Sequence, residues 1–227
     1  MSGEELARAF DVTGAAVLPD AQLATVYLHL GWSVLLGWLG RRCANTAVAC
    51  LLAAWAWVPG IWGASHWLGL AFQSPSVLAV LWCANDWWAQ QRGQRAPAPT
   101  ACAARFAWGW STALGWILLA DILGWFPASV YAWGFSTAAL ACVALLAFVP
   151  LIAPRTCLSA NASESRVWML WPLALLVFVA TRLPTGNVWD AVLDPWLWLV
   201  VQVVLLRRWR GAKLRPPCSA PGAQEHP

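Results

Sequence analysis

The chain has little charge for its length. Only 11% of its 227 residues are Asp, Glu, Lys or Arg, against about 25% in an ordinary soluble domain. All but one of its 14 basic residues are arginine, Lys213 being the exception. So few charges do not describe a soluble domain, and seven spans of roughly 20 residues would leave about 87 for tails and loops, too few for a further domain of ordinary size. The net charge is +4, and much of it lies in one C-terminal run, so a nucleic-acid surface is not expected and the basic residues read as an orientation signal. Serine-protease, HExxH and phosphate-loop motifs are missing, as are Cys-x-x-Cys and Cys/His ligand spacings among the seven cysteines, so no catalytic residue, metal ligand set or cofactor is expected. A retinal Schiff base needs a lysine within a span, and Lys213 lies in the tail. A haem held by two histidines needs both at one depth. His29 and His66 differ by roughly ten residues of helix, about 15 Å. The polar groups are also too few and scattered for an acid and base pair, which argues against an enzyme.

What the chain does have is apolar. Hydrophobic residues make up 60% of it, the mean hydropathy is +0.59, and a span needs roughly 20 such residues to cross a bilayer core of about 30 Å. Apolar runs bounded by charge, proline or polar clusters fall at Ala21 to Gly40, Ala44 to Ser65, Ser76 to Trp88, Arg105 to Trp125, Val130 to Ala153, Val167 to Leu183 and Asn187 to Leu206. This predicts an all-α polytopic transmembrane helix bundle of about seven spans. The third run is short, with Trp67 to Pro75 readable as an interfacial lead-in, so six spans stay open.

Arginine placement tests the count, because cationic residues are retained on the cytoplasmic side. With seven spans, the N-terminus outside and the C-terminus cytoplasmic, only Arg8 and Arg182 of the basic residues fall outside. One missed crossing would invert every later loop. Residues 1–20 are then an extracytoplasmic segment, with Leu6, Ala9 and Phe10 at the spacing of an interfacial helix. Residues 21–206 form the bundle. Residues 207–227 are a basic, then disordered, cytoplasmic tail.

Twenty tryptophans form an aromatic belt where they lie toward span ends, while Trp32, Trp55 and Trp116 sit deeper, to pack between helices or line a cavity. Gly134, Ala138 and Ala141 in the fifth run, and Ser111 and Gly115 in the fourth, offer small surfaces for close packing. Cysteines on the reducing side are expected to be unpaired.

Ionisable groups in hydrocarbon are costly, which makes them the candidates for function. His29 lies near the middle of the first run, His66 at the end of the second, Asp121 about a turn and a half from the end of the fourth, and Asp190 and Asp194 near the start of the seventh. With Arg182 and Asn187 they define a candidate outward-facing polar cavity. The competing expectation is that Asp190 stabilises a helix start, Asp194 pairs with Arg182 and His29 bonds to a neighbouring span. Asp86, near the cytoplasmic interface, is given no special role.

Three stretches carry a resemblance: Glu4, Phe10, Val12 and Pro19 before the first run; His66, Trp67, Leu68 and Pro75 after the second; Pro184, Asp190 and Asp194 before the last. In their order and spacing the chain resembles an uncharacterised bacterial family of multi-pass inner-membrane proteins, sometimes loosely labelled permeases. It departs from that family where Trp125, Phe126 and Pro127 lead to Gly134 in place of a proline- and cysteine-containing loop. The resemblance implies a bacterial inner-membrane location. The expected function is a small-solute binder or permease, its solute unspecified. The alternative is a non-catalytic partner or assembly subunit of a larger membrane complex. The lipid bilayer is one partner, and a protein partner or a second copy of the chain is the other.

Overall fold

A computed structural model of the chain describes residues 17–93, 101–152 and 162–213. Every regular element among them is helical: α1 (Ala21–Cys43), α2 (Thr46–Trp55), a 3-10 turn (Gly60–Trp62), α3 (Ala64–Phe72), α4 (Val77–Gln91), α5 (Ala101–Ile122), α6 (Val130–Trp133), α7 (Thr137–Ile152), α8 (Ala162–Thr181), α9 (Val188–Val192) and α10 (Pro195–Lys213). The expected interfacial helix within residues 1–16 and the tail beyond residue 213 lie outside the described residues. Among the described residues only α1 is long and apolar enough to cross a membrane on its own, and α2, α7 and the apolar parts of α8 and α10 are shorter.

Part of the shortfall has a local cause, because three of the seven apolar runs are broken where continuous helices were expected. The second run stops as a helix at Trp55. Pro59 offers no N–H to the carbonyl four residues back and disfavours helix at Val58. The chain turns through Gly60, at φ 69°, before α3 begins. The fifth run breaks between Trp133 and Thr137, where Ser136 Oγ accepts from Ala139 N and starts α7. The seventh breaks at Leu193, whose φ of −148° is extended. Pro195 suits the first position of the helix that follows. At the fourth run the helix ends at Ile122, so Asp121 sits in its last turn rather than deeper. Gly124, at φ 74°, lets Trp125 N reach Ala120 O and Gly124 N reach Asp121 O. These two bonds satisfy carbonyls that a helix end leaves open.

α1 packs on α2, α3 and α4; α4 in turn meets α8 and α9; α8 meets α7 and α9; α5 lies against α6 and α10. The core runs from Leu78 and Val80 of α4 through Ala174, Leu175 and Phe178 of α8 to Val143 of α7 and Val188 and Val192 of α9. Outside it the surface is apolar. Trp62, Leu70, Ile122, Trp125, Leu145 and Leu176 expose 67–77% of their area. Large apolar side chains thus face outward on several of the helices.

Candidate functional site

Helix ends meet at one pole of the bundle, and polar side chains join them. Asp194 is buried at the start of α10. One carboxylate oxygen accepts from Leu197 N, closing the first turn of α10, and the other accepts from Ser76 N at the start of α4. Ser76 Oγ accepts from Ala79 N, so the starts of α4 and α10 both converge on this carboxylate. That placement suits an anion, because the free N–H groups of a helix start carry partial positive charge. Beside it Tyr27 Oη donates to Pro75 O at 2.9 Å and Trp32 Nε1 to Gln73 O at 3.0 Å, which ties α1 to the connection between α3 and α4.

A second set of bonds joins α5, α6 and α9. Asp121 Oδ2 accepts from Tyr131 N at 2.7 Å and Ser129 Oγ at 3.0 Å, linking the end of α5 to the start of α6. Asn187 caps α9 through Trp189 N and donates from Nδ2 to Tyr131 O at 2.9 Å. Val188 N reaches Gly134 O, and Trp189 Nε1 reaches Val130 O. Half-buried Asp190 differs from these. Its Oδ2 accepts from Tyr131 Oη at 2.7 Å and Thr185 Oγ1 at 2.5 Å, both side-chain hydroxyls.

Of the seven residues singled out in the sequence, Asp121, Asn187 and Asp190 thus share Tyr131, and Asp194 lies four residues beyond Asp190, across the break at Leu193. Arg182 does not pair with Asp194. It occupies the left-handed region, at φ 58°, just past α8, where its N–H closes the helix on Phe178 O. Its guanidinium lies 5.5 Å from the Phe178 ring centre. His66 places its ring edge-on to Trp67, 5.3 Å away.

His29 serves the break in the second run. Its Nδ1 lies 2.7 Å from Ala56 O, the carbonyl that a continuous helix would have closed with Gly60 N. A carbonyl only accepts, so Nδ1 carries the proton. Ser65 Oγ donates to the same oxygen at 2.6 Å, and Ser33 Oγ, one turn along α1 from His29, donates to Ala53 O at 2.9 Å. Irregular backbone inside a bundle needs such substitutes. Because His29 and Ser65 share one acceptor, His29→Ala or Ser65→Ala alone should cost on the order of 1 kcal/mol. The double variant should cost more than the sum, since only then is the buried carbonyl stripped. Unfolding of the four proteins in mild detergent measures the coupling, and strict additivity would contradict the shared-acceptor geometry.

Sequence reading missed Asp86. It is 5% exposed. Its Oδ2 accepts from Trp38 Nε1 at 2.6 Å and Gln90 Nε2 at 2.8 Å, and lies 3.5 Å from Arg42 Nε, the one ion pair among the described residues. The signal was there: a carboxylate at the end of an apolar run, four residues before a glutamine and on the same expected side as Arg41 and Arg42. Also unforeseen is the seam of α5 and α10, where Trp110 Nε1, Thr112 Oγ1, Trp198 Nε1 and Gln202 Nε2 are buried without a hydrogen bond among the described residues.

The chemistry available at the first pole is acceptor chemistry, three carboxylates held by hydroxyls and main-chain N–H groups. Among the described residues no cluster of His, Cys, Asp and Glu could hold a metal ion. Comparison of the chain with protein-family models, curated proteins and solved structures gives no match.

Proposed function

We propose that the chain is a seven-span protein of a bacterial inner membrane, N-terminus outside, that serves as a non-catalytic partner or assembly subunit of a larger membrane complex. The observation that carries this reading is the division of labour among side chains. His29, Asp121, Asn187 and Asp194 are bonded to main-chain groups at helix ends and breaks, while large apolar side chains face outward. Polar groups committed to the backbone leave little to bind a solute. The seven-span arrangement is supported by which ends meet. The starts of α4, α6, α9 and α10 and the end of α5 share one pole, and the ends of α1 and α4 share the other, as alternating passes require. The resemblance to a multi-pass inner-membrane family supports the same location.

Alkaline phosphatase fused near Gln73 or Ala128 should be active, and fused after Arg92 or Arg215 inactive. Activity at the last position would overturn the seven-span count. For the partner reading, native electrophoresis of mildly solubilised membranes should place the chain in a complex well above its own 24.7 kDa and detergent. Migration as a lone chain would overturn it.

A second reading, a small-solute binder or permease, is favoured by Asp190 alone, because its two partners are side-chain hydroxyls free to rotate toward a ligand. Asp190→Asn keeps the size and removes the charge. If the carboxylate works on a solute or proton, this variant should reach normal abundance yet fail to complement a deletion strain. Full complementation would leave the partner reading alone.

A further inference from the structure

We propose that the ends of α1 and α4 at the Asp86 pole form a binding site for the phosphate of an anionic phospholipid. The proposal rests on the membrane reading above. Asp86 clasps the two helix ends together through Trp38 and Arg42. Arg42 engages it through Nε, and its guanidinium carbon lies 5.5 Å from the Trp38 ring centre. The terminal N–H groups of that fork are left for a further acceptor. Arg92, six residues beyond Asp86 at the cap of α4 and about 9 Å along its axis, stacks 4.7 Å from the ring centre of Trp88. Stacking on an indole fixes a guanidinium without using its in-plane donors, which are the ones that fork onto phosphate.

Charge points to the same ligand. Arg41, Arg42 and Arg92 stand against a single carboxylate, and among the described residues Arg41 and Arg92 pair with no acid. Favourable interaction with the negative ends of α1 and α4 accounts for part of their placement, but not for the exposed Trp88 ring on which Arg92 stacks. An exposed indole next to surplus positive charge matches a ligand that is anionic at one end and apolar at the other. Free phosphate supplies only the first. A phospholipid supplies both, and basic residues near a membrane surface favour anionic lipids by about fivefold each.

The test uses the full chain in detergent, with native mass spectrometry reading retained dioleoyl phosphatidylglycerol or dioleoyl phosphatidylcholine. Phosphatidylglycerol should be retained at least about fivefold better. R41Q/R92Q, at two exposed positions that leave the Arg42–Asp86 pair intact, should abolish the preference, while R41K/R92K, which keeps charge and loses the fork, should retain part of it. A wild-type chain without preference, or an unchanged preference in R41Q/R92Q with a native unfolding transition, overturns the site. So does displacement of the lipid by millimolar inorganic phosphate, which would assign the pocket to the free ion. Extraction of the chain from membranes by alkaline carbonate would instead undo the membrane reading itself. A chain that stays in the membrane but ignores the headgroup undoes only this site.

Discussion

Asp194→Ala should destabilise the protein by about 2 to 4 kcal/mol, the sum of a lost helix cap and a buried N–H left without a partner. Both terms come from one side chain, because one oxygen closes the first turn of α10 on Leu197 N and the other holds Ser76 N. Asparagine should rescue at most one of the two. Its carboxamide has a single acceptor oxygen, and its NH2 would face a main-chain donor. Unfolding of the wild type, Asp194→Ala and Asp194→Asn in mild detergent separates the possibilities. An asparagine variant as stable as the wild type would mean that only one of the two bonds contributes.

Gly134→Val should be comparably damaging, on the order of 1 to 3 kcal/mol or more, and for a steric reason alone. Gly134 has φ −60° and ψ −14°, which any residue can adopt. A Cβ there would run into the Asn187 carboxamide oxygen and the Trp189 indole. Neither can retreat cheaply. Asn187 Oδ1 caps α9, its Nδ2 reaches Tyr131 O, and Trp189 Nε1 reaches Val130 O. Displacing them loosens the joint of α6 with α9 and therefore the hydroxyl that Tyr131 gives Asp190. Gly109→Ala is the control, because a Cβ there meets nothing within 4 Å and alanine favours helix. Thermal unfolding should fall sharply for the first and hold or rise for the second. A loss at Gly109→Ala as large as that at Gly134→Val would mean that the collision at Gly134 is not what costs stability.

The positions of helices were legible in the sequence, and their continuity was not. α1 begins at Ala21, where the first apolar run begins, and α4 and α8 overlap the third and sixth runs. Hydropathy reads such runs well because it sums over many residues. Breaks turn on single residues, Pro59, Gly124 and Pro195, whose effect depends on whether neighbours can satisfy the backbone they free. Ser33, His29 and Ser65 do this for Ala53 and Ala56. No spacing rule pairs Ser65 with a histidine on another helix. The small residues Gly115 and Gly134 were expected to bring helices close, and they are tight sites, but the filling groups are the Trp198 indole and the Asn187 and Trp189 side chains. Of the deep tryptophans Trp32 is buried, whereas Trp55 and Trp116 face outward. Burial depends on rotation about the helix axis, and the weak amphipathic pattern of an apolar helix gives little sign of it. Of the seven polar residues singled out, Asp121, Asn187 and Asp190 share Tyr131; His29, His66 and Arg182 lie elsewhere; and two, Asn187 and Asp194, are helix caps. Asp194 was expected to share an ion pair with Arg182. A cap with two main-chain donors satisfies it more locally.

The bond between Ser76 and Asp194 spans 118 residues, and it also bears on how the protein is made. A chain emerging from the ribosome makes its first four helices long before Asp194 exists. Through that interval the main-chain donor at Ser76 must find another acceptor, such as water. The start of α4 therefore cannot settle until α10 arrives. The N-terminal half would be a waiting partner rather than a finished unit, and a chain stopped before residue 194 would leave the Ser76 N–H at the start of α4 without its carboxylate.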